Sequence, residues 1–232
     1  MSSDWSSDVC SSDLAAQSGS VHVRDDDMAL TLALSRWTDN GPDYTFTGYR
    51  DSTATTNWFR ETTGLFVDLQ HRGLRAQFYY ADFRPESLWM SENAWMPERA
   101  WDNGRSTAVF GDVGYEHALA EDLHADLNLT FNDHHWYSWE PDRSNVVDVE
   151  DLLGEATLDY TVDPATRLLV GGTLQYSDHY SDFLLDGDEI AGSLYAQIDH
   201  WAHERLKLVA GAQYNHVEGI DGRVPPRAAM IA

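Results

Sequence analysis

The sequence is poor in positive charge, has almost no cysteine and contains no long apolar run. Of 232 residues, 15 are lysine or arginine and 39 are aspartate or glutamate, for a formal net charge of −24. That balance excludes a nucleic-acid partner, because phosphate contacts need clustered basic side chains. Cys10 is the single cysteine, which rules out a disulfide scaffold and thiolate metal sites. No stretch approaches the roughly 18 uninterrupted apolar residues of a membrane helix. A membrane β-barrel stays open, since its strands are apolar on one side only. The 9 Trp, 11 Tyr and 8 Phe exclude full disorder.

The first 14 residues, MSSDWSSDVCSSDL, repeat Ser-Ser-Asp three times. Asp8 to Leu14 reads as one frame of GAC GTG TGC TCT TCC GAT CT plus one base, a common sequencing-adapter string. Residues 1–14 are therefore expected to be an assembly artefact and are set aside from fold reasoning. Cys10 falls inside them, so cysteine usage says nothing about compartment. A gene cut by a read end also makes the lack of a signal peptide uninformative.

What the rest of the chain has is alternation. Leu123, Ala125, Leu127, Leu129 and Phe131 alternate with His124, Asp126, Asn128 and Thr130. A period of two puts every apolar group on one face of a strand. Leu168 to Tyr176 and Leu206 to Tyr214 repeat the pattern, as do Met28 to Leu34, Leu65 to Leu69, Leu74 to Tyr80 and Leu152 to Tyr160. No helical period is sustained. The connections alternate too. Short polar turns at 71–73, 120–122, 163–166 and 202–205 trade with long segments at about 38–56, 84–105, 139–148, 181–188 and 219–226.

These features predict an all-β, antiparallel up-and-down transmembrane barrel fragment over 15–232, with about 10–11 strands. The apolar face would meet lipid. The face carrying Asp68, Gln70, Arg75, Gln77, Asp112, Glu116, Asp126, Asn128, Glu155, Asp159, Gln197 and Asp199 would line a watery lumen. A soluble, glycan-binding β-sandwich would bury the apolar faces against each other instead. Trp37, Phe83, Trp136, Tyr180 and Trp201, near strand ends, are expected to form interfacial girdles.

No phosphate loop, metalloprotease helix or nucleophile elbow appears, and an enzyme is not expected. Neighbouring His134 and His135 would point to opposite faces of a strand, so a solvated rim is expected there rather than a metal site. Neither metal nor cofactor is implied. One loop stands out. Pro85 to Asp102 reads PESLWM SENAWM PERAWD, with Glu86, Glu92 and Glu98, Trp89, Trp95 and Trp101, and Met90 and Met96 at hexad spacing. An even spacing returns side chains to one face of an extended chain, so the three Trp could form an aromatic row. Trp89, Trp95, Trp101, Met90 and Met96 are the candidate ligand-binding residues, with rim packing as the plainer reading.

Ser193 to Trp201 (SLYAQIDHW), a turn, and Leu206 to Asn215 (LKLVAGAQYN) resemble the barrel of TonB-dependent outer-membrane receptors. The Asp221-Gly222 loop and Pro226-Arg227 follow in the family's order. Tyr115-Glu116-His117 with Leu123 to Phe131, then Gly154 to Tyr160 (GEATLDY), are similar to another part of that barrel. Ile198 before Asp199 departs from the family's usual Gln-Asp. The resemblance covers about Met28 to Ala232 and implies part of a barrel of about 22 strands closed inside by a plug. It implies import of a scarce siderophore, haem, cobalamin or glycan ligand, driven by the TonB complex through an N-terminal region missing here. Outer-membrane lipid would be the other partner. A porin-like channel is the nearest alternative.

Overall fold

The computed structural model describes residues 2–10, 14–39, 43–47, 53–57, 60–87, 102–140, 143–182 and 186–231. Among these described residues all of the regular structure is strand. In chain order the strands are β1 (Ser2–Cys10), β2 (Leu14–Arg24), β3 (Met28–Asp39), β4 (Asp43–Thr47), β5 (Thr53–Asn57), β6 (Arg60–His71), β7 (Leu74–Ser87) and β8 (Asp102–Asn103). There follow β9 (Arg105–Ala120), β10 (Leu123–Glu140), β11 (Arg143–Asp163), β12 (Thr166–Ser181), β13 (Gly187–His203), β14 (Leu206–Val217), β15 (Ile220–Arg223) and β16 (Pro226–Ile231).

One antiparallel sheet runs β1-β2-β3-β6-β7-β9-β10-β11-β12-β13-β14, with β15 and β16 both paired to β14. Strands β4 and β5 form a separate hairpin. This is an up-and-down meander in which each wall strand pairs with the next wall strand along the chain, the β4–β5 hairpin and β8 lying in the connections. It satisfies backbone donors and acceptors within the wall, as a bilayer demands. No helix among the described residues is long and apolar enough to cross a membrane, which says nothing of a β-barrel.

Short turns close one end. In β2–β3, the Asp25 carboxylate accepts N–H bonds from Asp27 at 2.9 Å and Met28 at 2.8 Å. In β6–β7, Arg72 and Gly73 both have positive φ, 48° and 85°. Two left-handed residues match the twist of a tight hairpin. A Cβ at Gly73 would lie 2.3 Å from the Glu116 carbonyl oxygen, so the position also needs a residue without a side chain.

Pairing register confirms the two faces. Tyr115, Leu127, Ala156, Gly172, Leu194 and Tyr214 form one cross-strand row, and Phe78, Gly111, Phe131, Leu152, Tyr176 and Ile190 another. The twelve polar residues assigned to the lumen all take the opposite parity. Among the described residues no hydrophobic side chain is buried; Leu127 is 53% exposed, Leu174 63% and Leu194 67%. A sandwich would cover such side chains with a second sheet. A single-layer wall leaves them to lipid, at roughly 1.5–3 kcal/mol per large side chain removed from water. The wall is that of a transmembrane β-barrel fragment.

Residues 14–24 are a full strand, although Ser and Gly blur their alternation. Two local expectations change. Residues 139–140 and 143–148 are paired rather than looped: Trp139 opposes Ser144 and Asp148 opposes both His135 and Tyr180. The polar residues there suggested a loop, but lumen-facing and rim positions are polar in a strand as well. Trp37, Phe83 and Trp136 do not take the lipid-facing parity. Cross-strand register puts them in one row on the polar side, joined through Thr62 and Ser106.

Candidate ligand-binding site

The lumen side has two characters. Near the short turns it is a network of charges and amides. Arg75 pairs with Asp126 at 3.2 Å, Lys207 with Asp199 at 2.7 Å, and Arg167 with Asp159. Asp112 accepts from Asn128 at 2.7 Å and from Thr130 at 2.8 Å, and Gln77 donates to Asp68 at 3.1 Å. Such pairs hold side chains flat against the wall.

Toward the long-loop end, between β3 and β10, the same parity turns aromatic. One row carries Phe66, Tyr79 and Phe110 on β6, β7 and β9. Four residues further along, Trp37, Phe83 and Trp136 form the second. Between them runs a row of small residues, Ser35, Gly64, Ala81 and Ala108. At about 3.4 Å per residue the aromatic rows stand roughly 14 Å apart. The result is a trough with aromatic walls and a small-residue floor. A cavity of about 270 Å³ opens at its β2–β6 end, lined by Ser18, Ser20, Ala33, Ser35, Gly64 and Phe66 among others. A Cβ on Gly64 would come within 2.8 Å of the Ser35 hydroxyl oxygen.

The far end of the floor is polar. His134 follows Ala108 in register and its Nε2 meets Ser106 Oγ at 2.9 Å. Val149 and His179 continue the row, with Asp151, Ser177 and Glu189 beside it. Ser177 donates to Asp151 at 2.5 Å. His135 is on the other face, against Asp148, as the parity argument requires. The two histidines therefore do not converge. Among the described residues no group of three metal-ligating side chains is assembled.

A larger depression, about 660 Å³, lies on the apolar face around Gly154, Ala156 and Gly172. Its walls are Leu127, Leu129, Leu174 and Leu194, so lipid fills it rather than a polar solute.

No family model and no curated protein matches this sequence. Solved structures do. The FrpB iron transporter from Neisseria meningitidis superposes with a TM-score of 0.61 at 11% identity, over 94% of this chain and 40% of its own. The ferric-catecholate import receptor Fiu from E. coli K12 gives 0.59 at 8% identity, over 94% and 49%. The siderophore receptor PiuA from Acinetobacter baumannii gives 0.57 at 9%, over 99% and 45%. The chain has the barrel fold of these outer-membrane receptors. It spans less than half the length of each.

Trp89, Trp95, Trp101, Met90 and Met96 lie outside the described residues. The strands that flank their loop are placed: Ser87 pairs with Asp102 and Glu86 with Asn103. Phe83 and Ser106, in the upper trough row, are each three residues from the Glu86–Asn103 pair. Reading the sequence alone missed the trough. Its signal was present, since Phe66, Tyr79, Phe83 and Phe110 are aromatics on an otherwise polar parity. Only register shows that they are neighbours.

Proposed function

We propose that the chain is part of an energy-coupled outer-membrane receptor that captures a scarce ligand with planar aromatic groups, of the siderophore or porphyrin kind. The trough carries this reading. Six aromatic side chains face the lumen at the loop end, where a water-filled wall has no structural need for them. Stacking on aromatic faces is worth about 1–3 kcal/mol per ring on the scale of base–aromatic contacts. The named ligands of the similar structures, iron and ferric catecholates, point the same way. Trp89, Trp95 and Trp101 would add a second aromatic row, with Met90 and Met96 as adaptable contact. The role is transport, not catalysis. Energy would come from an inner-membrane TonB complex acting on parts of the receptor beyond this chain.

The test uses the complete receptor and a ferric catecholate as probe. Phe66→Ala with Tyr79→Ala should weaken binding at least tenfold while surface expression holds. Trp95→Ala should weaken it separately. Unaltered uptake in the double variant would remove the trough from the site. Uptake that persists after the proton-motive force is collapsed would favour a passive, porin-like channel.

A further inference from the structure

Above the apolar band, on the lipid-facing parity, β3, β7 and β9 carry three arginines. Arg36 follows Leu34 by two positions, and Arg84 and Arg105 flank Asp82, which follows Tyr80. Arg105 holds Asp82 with two bonds, Nε to Oδ1 at 2.9 Å and Nη2 to Oδ2 at 3.0 Å. Arg84 reaches the same carboxylate at 2.9 Å, and Arg36 pairs with Glu61 at 2.6 Å. Asp82 is 8% exposed, beneath its partners. Three guanidiniums against the two carboxylates they bind leave a local excess of positive charge on the β3–β9 side, and on its other side Arg105 borders a depression lined by Asp133, His135, Asp148 and Glu150.

The guanidiniums have spare donors. Each has five N–H groups, and their side chains are 61%, 53% and 48% exposed for Arg36, Arg84 and Arg105. The rest of the lipid-facing margin has the opposite sign. Asp133, Glu150, Asp178 and Asp188 stand in one row across β10 to β13, next to Phe131, Leu152, Tyr176 and Ile190. The charged margin is thus split, basic over β3–β9 and acidic over β10–β13. Both parts continue directly from the lipid-facing surface, so both lie where lipid headgroups begin.

We propose that Arg36, Arg84 and Arg105 form a docking surface for the phosphate of an outer-leaflet lipid headgroup. Charge complementarity selects an anion, and the guanidinium fork suits a phosphate's oxygens. Continuity with the apolar band selects a lipid over a free solute, because acyl chains can lie on Leu32, Val67 and Phe78, the row that leads to Phe131, while the phosphate meets the arginines. Asp82 acts as a positioning residue. It holds Arg84 and Arg105 side by side and cannot neutralise both. The acidic row confines the headgroup to the β3–β9 side.

The experiment titrates the complete receptor, folded in a neutral detergent, with diphosphorylated lipid A and with its dephosphorylated form, counting bound lipid by native mass spectrometry. Wild type should bind the phosphorylated form preferentially. Arg36→Gln with Arg84→Gln should weaken that binding about tenfold, as expected for lost charge-assisted hydrogen bonds. Arg105, the two-bond partner of Asp82, is left in place. The heat-dependent gel shift of a closed barrel reports folding. If the double variant does not fold, Arg36→Gln alone should still cost about threefold. Glu150→Gln with Asp178→Asn should bind as tightly as wild type or tighter. Equal binding of the two lipids, no loss in the arginine variants, the same loss in the acidic-side variant, or full displacement by millimolar inorganic phosphate would each overturn the proposal.

Discussion

The β3–β9 and β10–β13 parts of the wall are built by the same antiparallel ladder and differ in almost everything it displays. Inward, the first shows a neutral aromatic trough; the second shows His134, His179, Asp151 and Glu189. Outward, the first carries arginines around a buried aspartate, and the second a row of four carboxylates. Like charges directly opposed across strands cost roughly 0.2–1 kcal/mol each. The second part tolerates this where water and counter-ions reach its side chains. Strand pairing thus fixes where a side chain goes and leaves its chemistry free, so a barrel's specificity must be sought in what one stretch of wall displays and the next does not.

The largest effect should come from confusing the two faces. In the complete barrel, Leu127→Arg or Leu208→Arg should cost about 2–4 kcal/mol if the site is near mid-bilayer. Asn128→Arg, one residue away and facing the lumen, should cost far less. Equilibrium unfolding from lipid vesicles measures both, and equal costs would reverse the facing assigned here. Next, Asp82→Asn should destabilise by about 1–3 kcal/mol, because Arg84 and Arg105 lose a charged acceptor. Asp151→Asn in the acidic part should cost less, since its neighbour Glu189 is relieved. If Asp151→Asn costs more, the contrast between the two parts fails.

A smaller effect is expected in the trough. Gly64→Val should shift stability by under about 1 kcal/mol, since the Ser35 hydroxyl can rotate away and strands favour branched residues. It should nevertheless weaken binding of an aromatic probe by filling the floor. Smallest of all is a turn effect. Asp163 accepts the Ala165 N–H at 2.8 Å, and this bond holds its carboxyl below the usual aspartate range. The folded value is the lower one, so the stabilisation is present above the ordinary aspartate pKa. It is lost as pH falls through the lowered value. Stability–pH curves of wild type and Asp163→Ala should differ at neutral pH and converge in acid.

Much of this was legible in the sequence. Leu123 to Phe131 alternates so regularly that the strand, its facing and its polar lumen side follow from a period of two. The turns at 71–73, 120–122, 163–166 and 202–205 are marked by Gly, Pro or charge. The strand over 14–24 was less visible, because Gly19, Ser18 and Ser20 break the contrast between its faces. We propose that residues 1–14 are foreign to this wall, and reading the locus with another library chemistry tests that. The trough was invisible for a different reason. Trp37 and Trp136 are 99 positions apart, and nothing local says that β3, β6, β7, β9 and β10 align them. Register is a long-range property, and a side chain's own strand shows its parity but not its neighbours.

The hairpin of β10 and β11 is longer than a membrane needs. Its strands are 18 and 21 residues, near 60 Å or more at about 3.4 Å per residue, whereas a tilted crossing of a 25 Å apolar band takes roughly 10. The surplus stays paired, from Asp133 opposite Glu150 to Glu140 opposite Arg143. A paired blade, rather than a loose tether, therefore continues past the apolar band. Anything that approaches that rim meets a fixed shape, and amide hydrogens beyond the band should exchange as slowly as those within it.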